Sequence, residues 1–360
     1  MKIINKYYLQ LFIPLLTIMI ISFFNMYSVS NISLYYNHHL IKQILWYIIG
    51  FLIILITIKI NLKSIFKYSK YFYILSIILL ILVLFLGKEI NGARAWFSFS
   101  FFSFQPSELV KLTLPIYLIN IVSNNKNEIF TILKTIIITL IPTILVFLEP
   151  DTGAIIFYII ILFSILIFSD INKKWFIILF VIISFILISF ILLYFLNQDL
   201  LIELIGTSIF YRIDRIISFT NNNSYQLNNA LITIGNASLF VNKKSIYIPE
   251  SPTDFIFAYN IGNFGIISAL IVLLSYYLID LFFIKTIIKT KNKKIKLFII
   301  SFISIFFIQQ IINIAMNLGL MPIIGIPLPF LSYGGSSIII YFTFIAIILN
   351  LINHTKIIAN

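Results

Sequence analysis

Long apolar runs alternate with short polar segments along this chain from beginning to end. Runs of about 18 or more apolar residues are long enough to cross a bilayer as an α-helix, in which every backbone polar group is paired internally. The first run is followed at once by further runs and has no clear cleavage site, so we interpret it as a spanning helix. The predicted spans are residues 9–29, 40–60, 70–87, 107–123, 130–148, 153–169, 175–197, 255–283, 297–316 and 335–352.

The composition supports the same class. Of the 360 residues, 61% are hydrophobic and 10% are charged, whereas about a quarter are charged in a soluble domain. The predicted fold is therefore an all-α polytopic membrane protein with about ten transmembrane helices. One long loop, about 198–254, separates the seventh and eighth helices.

Charge sets the predicted orientation. If the N-terminus is cytoplasmic, the inner segments carry 17 of the 25 basic residues and three acidic residues, and the outer segments carry eight basic and nine acidic residues. Basic residues concentrate in cytoplasmic loops, so we predict an N-in, C-in topology. The basic excess is explained by this orientation and by contact with anionic lipid, and nucleic acid is not needed as a partner.

Several chemistries are excluded by residue content. The chain has no Cys, which excludes thiolate nucleophiles and thiolate metal sites. The three histidines, His38, His39 and His354, are not spaced as a metal cluster. No glycine-rich phosphate-binding loop is present.

Glycine and proline concentrate in the predicted outer segments, at 87–106, 149–153 and 319–335. Irregular backbone at membrane depth is stable only where protein buries it or where it lines a water-filled space. These segments therefore predict a cavity that opens to the outside.

Two carboxylates, Glu250 and Asp254, stand where the long loop meets the eighth predicted span. The sequence Ser-Pro-Thr-Asp at 251–254 has the pattern of a helix N-cap followed by a capping acid. Asp254 is thus either a structural cap at the mouth of a membrane helix or a catalytic carboxylate, and Glu250 is a candidate for binding substrate.

A similar pattern, Gln-Pro-Ser-Glu, precedes the fourth span at 105–108. Glu108 and Lys111 are three residues apart and would pair on one helix face. This pair either binds substrate or is a structural ion pair, since charges inside a membrane are paired or functional.

A third acidic segment, Glu-Pro-Asp-Thr-Gly, lies at 149–153 between two spans. The oxygens of Glu149 and Asp151 are ligands that Mg²⁺ prefers. The alternative is a turn with an N-cap for the sixth helix.

Cations in the outer segments are candidates for binding a phosphate or pyrophosphate, because Arg matches oxyanions by bidentate geometry. Interfacial snorkelling of their long side chains is the alternative. The candidates are Arg94, Arg212, Arg215, Lys243 and Lys244.

The segment 322–337 carries too many Pro and Gly residues to be a plain helix. We expect a rigid segment that lines the cavity. Ser332 is a candidate for holding a polar ligand, and a purely architectural role is the alternative.

These stretches together resemble the SEDS family of cell-wall polymerases, whose members include RodA and FtsW. The motifs that carry the resemblance, in order, are Asn-Gly-Ala-Arg-Ala-Trp at 91–96, Phe-Gln-Pro-Ser-Glu-Leu at 104–109, and the segments 149–153, 249–258 and 325–336. The resemblance covers nearly the whole chain, so we treat 1–360 as one SEDS-type transmembrane domain.

The resemblance implies a peptidoglycan glycosyltransferase that polymerises lipid II on the outer face of the membrane, with a class B penicillin-binding protein as partner. It also implies that Asp254 is the essential acid, which fits a general base. The pyrophosphate leaving group needs Arg, Lys or a divalent cation such as Mg²⁺ or Mn²⁺. Short termini and the sequence Asn-Ile-Ala-Met-Asn at 313–317 favour a RodA-like role.

Two other functions stay open from the sequence. A transporter of lipid-linked precursors would place charged residues along a path through the bilayer. A scaffold of the elongation or division machinery would need no catalytic acid, and its function would survive the loss of Asp254.

Overall fold

The computed structural model describes residues 2–31, 36–60, 64–90, 93–99, 102–125, 127–149, 151–178, 225–240 and 248–354, with isolated positions between 181 and 202. Its principal helices are α1 (Lys2–Ser30), α2 (His39–Lys59), α3 (Ser69–Leu86), α4 (Pro106–Asn124), α5 (Glu128–Leu148), α6 (Thr152–Ile167), α7 (Tyr225–Gly235), α8 (Ile256–Lys289), α9 (Lys293–Asn317) and α10 (Gly335–His354).

Seven helices in the described part of the chain are long and apolar enough to cross a membrane: α1, α2, α3, α5, α8, α9 and α10. Helices α4 and α6 occupy the predicted fourth and sixth spans, but α4 carries a buried ion pair and α6 has only 16 residues. The predicted seventh span lies largely outside the described residues. A helical membrane protein is confirmed, while the count of ten and the N-in, C-in topology stay predictions.

The structure corrects the all-α prediction in the outer segments. A small antiparallel sheet forms from β1 (Lys88–Ile90), β2 (Ala93–Ser98) and β3 (Ser103–Phe104), in the order β1-β2-β3. The three strands lie between the end of α3 and the start of α4. They form hydrogen bonds to one another because a non-helical segment must still pair its backbone groups. Helix α7 lies within the predicted long loop, so that loop is partly helical.

Helix α9 is central to the bundle. It contacts α4, α6, α7, α8 and α10, and most of its side chains are buried. Its aromatic residues interlock with those of α10: the Phe298 and Phe344 rings stack at 5.5 Å, and Phe302 lies 5.2 Å from Phe344. Helix association in a membrane relies on such close packing and on hydrogen bonds between helices.

Helix α8 is broken at Gly265, where φ is +81°. The freed N–H groups of Ile266 and Ile267 donate to the carbonyls of Ser238 and Leu239, at 3.1 and 3.2 Å. A Cβ atom at position 265 would lie 2.4 Å from the carbonyl oxygen of Phe240, so only glycine fits. The segment after α7 is thereby attached to the membrane helix that follows the candidate site.

The second part of α8 continues to Lys289, six residues past the predicted end of that span. Asp280, which was counted among the three acidic residues of the inner segments, lies inside this candidate spanning helix. Its side chain is buried and accepts a hydrogen bond from Gln310 of α9 at 3.3 Å.

Candidate functional site

Asp254 lies just before α8, in a turn that the sequence did not predict. The helix begins at Ile256 with Phe255 as N-cap, and no side chain caps it, so the predicted capping box at 251–254 is wrong. Glu250 adopts a positive φ of 55°, and its carbonyl accepts from the N–H groups of Thr253 and Phe255. Backbone groups close this turn, which leaves the Asp254 carboxyl group available for chemistry.

Two asparagines of α9 hold the backbone of Asp254. The Nδ2 atoms of Asn313 and Asn317 both donate to the Asp254 carbonyl at 2.9 Å. Asn317 also accepts from the N–H of Ala258 in the first turn of α8, at 2.9 Å. The start of α8 is thus clamped to the C-terminal end of α9.

The Pro-rich segment before α10 is irregular, as predicted, and packs against Asp254. A Cβ atom at Gly325 would lie 3.7 Å from Oδ2 of Asp254. Buried side chains satisfy the carbonyls of this segment: Gln309 donates to Pro327 at 2.6 Å and Tyr276 donates to Pro329 at 2.5 Å. Because its backbone is paired by side chains, the segment is stable without helical structure.

Ser332 joins this segment to the turn of Asp254. Its Oγ donates to the Thr253 carbonyl at 2.6 Å and accepts from the N–H of Leu328 at 2.7 Å. The next residue, Tyr333, donates its N–H to the Pro252 carbonyl at 2.8 Å. The Ser332 hydroxyl therefore helps to position the turn of Asp254. Its contact with a ligand stays a prediction.

The surroundings of Asp254 change its acidity. Burial is the main cause and the negative charge of Glu250 the second, and together they raise the pKa of the Asp254 carboxyl group to about 7. The residue is nevertheless not sealed from the surface, so a proton can reach it. A group with this pKa can accept and release a proton near neutral pH.

Asp151 joins α4 to α6. One carboxylate oxygen accepts from the N–H of Ala154 at 3.3 Å and caps α6, so the predicted N-cap is confirmed. The other accepts from Gln105 Nε2 at 2.8 Å and Ser107 Oγ at 3.2 Å, at the start of α4. Both oxygens of Asp151 are therefore used in holding the helix starts together.

The predicted cation site at Glu149 and Asp151 does not fit this geometry. Glu149 is fully buried, and its two carboxyl oxygens have no hydrogen-bond partner in the described part of the chain. Burial, and then the charge of Asp151, raise the pKa of Glu149 to about 8, so it holds its proton at neutral pH. Within the described ranges no group of three or more His, Cys, Asp or Glu residues is arranged to hold a metal ion.

Glu108 and Lys111 form the ion pair that the sequence predicted, at 2.6 Å in the first turns of α4. Their side chains are only 8% and 3% exposed, and the Lys111 ammonium lies 4.4 Å from the centre of the Phe157 ring. The pair stabilises the packing of α4 against α6. Direct binding of substrate by either residue stays a prediction.

Arg94 lies on β2, half-exposed, 3.8 Å from Glu89 of β1. It is accessible to a ligand from the same end of the bundle as Asp254. The other predicted anion-binding residues, Arg212, Arg215, Lys243 and Lys244, lie outside the described residues.

Sequence reasoning missed the residues that position Asp254, namely Asn313, Asn317 and Gly325. A signal was present, since two Asn residues four apart share one face of an otherwise apolar helix. Polar amides on a membrane helix need partners, and here the partner is the irregular turn of Asp254.

A bundle of membrane-spanning helices with a partly buried acid of raised pKa at one end defines an integral membrane protein with a candidate acid–base site. The family model for cell cycle proteins of the FtsW, RodA and SpoVE group matches residues 4–357. The chain belongs to this family.

Two relatives illustrate the similarity. A probable peptidoglycan glycosyltransferase FtsW of Wigglesworthia glossinidia brevipalpis is 34% identical over 336 residues, which cover 86% of this chain and 82% of that protein. The peptidoglycan glycosyltransferase MrdB of Helicobacter pylori is 28% identical over 357 residues, which cover 95% and 88%.

Solved structures share the fold. One is a chain from a peptidoglycan synthase complex, whose structure is described for its coordination of polymerization and crosslinking. It superimposes with a TM-score of 0.80 at 22% identity, and the match covers 96% of this chain and 97% of that chain. The rod shape determining protein RodA of Thermus thermophilus superimposes with a TM-score of 0.70 at 23% identity, with 95% of each chain covered.

Proposed function

We propose that this protein is a peptidoglycan glycosyltransferase that polymerises lipid II into glycan strands, with Asp254 as the general base. The observation that carries the proposal is the carboxyl group of Asp254, which has a pKa of about 7 and is clamped by α9 at the edge of the bundle. Family membership and the names of the relatives support the same activity.

In the proposed reaction, Asp254 removes a proton from a hydroxyl group of the acceptor sugar. The resulting oxygen nucleophile forms a bond to the anomeric carbon of the donor sugar, and the bond from that carbon to the undecaprenyl pyrophosphate oxygen breaks. The leaving pyrophosphate takes the electron pair, and its growing negative charge needs cationic groups. Arg94 is the described candidate, with Arg212 and Arg215 as further ones.

The proposed setting is the outer face of the cytoplasmic membrane, with both termini inside. A class B penicillin-binding protein is the proposed partner, because a fold neighbour comes from a complex that couples polymerization to crosslinking. The role of the protein in cell elongation, as opposed to cell division, stays a prediction. The sequence favoured a RodA-like role, whereas the relative at 34% identity is named FtsW.

The test is polymerisation of labelled lipid II by purified protein, with and without its partner. We expect Asp254→Asn to lower the rate by about 10²-fold or more, because a general base contributes about 10²–10⁴-fold. The matched control is Asp170→Asn, the same acid-to-amide change at an exposed carboxylate that pairs with Lys293 at the start of α9, away from Asp254, and we expect it to retain activity. The thermal midpoints of both variants should stay within a few degrees of the parent.

Equal glycan synthesis by the parent and Asp254→Asn would contradict the assignment of the base. If the parent makes no glycan under either condition, the activity itself is contradicted. Precursor transport or a scaffold role would then be the better account.

A further inference from the structure

Helix α2 turns one narrow face toward the bundle, and that face is partly polar. Its buried residues are Gln43, Tyr47, Gly50 and Ile54, whose spacings of three and four residues place them on one side of the helix. Gln43 is fully buried, although an amide in a membrane helix is stable only where it has hydrogen-bond partners. The proposed reaction involves no residue of α2.

The partners of this face lie in the Pro-rich segment before α10. Gln43 Nε2 donates to the Ser332 carbonyl at 3.1 Å, and the Tyr47 hydroxyl donates to the Phe330 carbonyl. Phe330 has a positive φ of 61°, a conformation that a bulky residue keeps only where surrounding contacts hold it. The two polar side chains of α2 supply such contacts.

Helix α1 adds a third donor. Ser22 Oγ donates to the Leu331 carbonyl at 2.9 Å and accepts from Gln43 Nε2 at 3.1 Å. Three consecutive carbonyls, at 330–332, therefore accept from buried side chains of α1 and α2. Gln43 is central to this arrangement, because it contacts both the Pro-rich segment and α1.

Ser332 connects Gln43 to the turn of Asp254. The carbonyl of Ser332 is held by Gln43, and its Oγ donates to the carbonyl of Thr253, the residue before Asp254, at 2.6 Å. The turn is thus held from two directions. Helix α9 binds the Asp254 carbonyl, and α2 acts through Ser332.

A second contact runs beside this one. The ring of His39, at the start of α2, lies 4.1 Å from the ring of Tyr333. Tyr333 in turn donates its N–H to the Pro252 carbonyl at 2.8 Å. We propose that Gln43 is a positioning residue for the reaction, which holds Asp254 in place through Ser332. This inference rests on the proposed function, in which Asp254 is the base.

A matched amide lies at the other end of α2. Asn350 of α10 is fully buried, and its Nδ2 donates to the carbonyls of Thr57 and Ile60, both at 2.6 Å. Each amide ties α2 to another part of the bundle, but of the two it is Gln43 that leads to the turn of Asp254. Asn350→Leu therefore controls for the loss of a buried amide beside α2.

The experiment compares Gln43→Leu with Asn350→Leu in the full-length protein, by hydrogen-exchange mass spectrometry and by polymerisation of lipid II. In Gln43→Leu, the N–H groups of Phe255 and Tyr333 should exchange about five-fold faster, the factor for one lost hydrogen bond. The turnover rate should fall about tenfold or more, with a smaller change in KM, because a displaced base reacts poorly. Asn350→Leu should lower the thermal midpoint similarly and leave exchange at both N–H groups and turnover unchanged.

Tyr47→Phe keeps the inference testable if Gln43→Leu does not fold, since it removes only the hydroxyl that donates to Phe330. The same pattern of exchange and turnover is expected. Parental exchange rates at Phe255 and Tyr333 would overturn the proposal, and so would faster exchange with unchanged turnover. If the parent makes no glycan, the proposed function is contradicted, and the exchange rates still decide whether Gln43 holds the turn.

Discussion

The chemistry of Asp254 depends on what surrounds its carboxyl group. Asp254 and Glu149 both have a raised pKa, and burial is the main cause in each case. They differ in access: Asp254 is partly exposed beside Gly325, whereas Glu149 is sealed. A base must exchange its proton with substrate, so only Asp254 meets the requirement.

The raised pKa of Asp254 predicts the pH dependence of polymerisation. A general base acts in its deprotonated form, so kcat/KM should rise about tenfold per pH unit below a midpoint near pH 7 and level off above it. The measurement is the initial rate of glycan formation at low lipid II concentration between about pH 5 and pH 9.

Glu250→Gln tests how far the negative charge of Glu250 raises the pKa of Asp254. The amide oxygen can still accept from the Thr253 hydroxyl, which donates to Glu250 Oε2 at 3.1 Å, but the negative charge is removed. The pKa of Asp254 should fall, and the midpoint should move to lower pH. Asp170→Asn serves as the control, with an unchanged midpoint. If both variants keep the parental midpoint, the charge at position 250 does not act on the base.

At the scale of elements, α9 positions the site. Its C-terminal end holds the Asp254 carbonyl through Asn313 and Asn317, and Asn313 also donates to the Ile326 carbonyl at 2.7 Å. Three elements, the start of α8, the end of α9 and the Pro-rich segment, therefore meet at one pair of amides. A shift of any one of them would move the Asp254 carboxylate.

Asn317→Ala tests this positioning role. It removes a donor to the Asp254 carbonyl and leaves the buried N–H of Ala258 without its acceptor, so we expect a loss of about 1–3 kcal/mol of stability. The turnover rate should fall more than lipid II affinity, because the base is displaced while the rest of the site is intact. Thermal unfolding and steady-state kinetics measure both effects.

The control on the same helix is Ser301→Ala, at a buried hydroxyl that donates to the Phe298 carbonyl of α9 at 2.8 Å. A purely structural effect would lower stability in both variants and leave the turnover rate of each unchanged. Such a result would show that Asn317 does not position Asp254.

At the scale of the whole molecule, the two ends of the bundle differ in character. One end carries the irregular turn of Asp254, the Pro-rich segment and the small sheet, and the other carries the lysines around the first turn of α9. This polarity is the basis of the proposed orientation, in which the lysine-rich end faces the cytoplasm.

Cysteine labelling tests the orientation directly, because the chain has no native Cys. A membrane-impermeant maleimide added to intact spheroplasts should label Arg94→Cys on β2 and should not label Lys296→Cys in α9. Both sites are exposed, so both should react after the membrane is permeabilised. Labelling of position 296 and protection of 94 before permeabilisation would reverse the topology and contradict an outward-facing site.

The sequence predicted the helical spans, the Glu108–Lys111 pair, the Asp151 cap and the place of Asp254 before a membrane helix. These features depend on residues close together in the chain, and a bilayer requires any apolar run of sufficient length to pair its backbone internally. The capping box at 251–254 is a local pattern too, yet it is absent, because contacts from α9 and the Pro-rich segment stabilise a different turn.

The tertiary structure alone decided the contacts between distant parts of the chain. The Asp254 carbonyl meets Asn317, and the Thr253 carbonyl meets Ser332, 79 residues away. The sealing of Glu149 also arises only when separate helices pack together. Apolar length along the chain determined which segments enter the membrane, whereas burial and charge in three dimensions decided which polar groups are left to do chemistry.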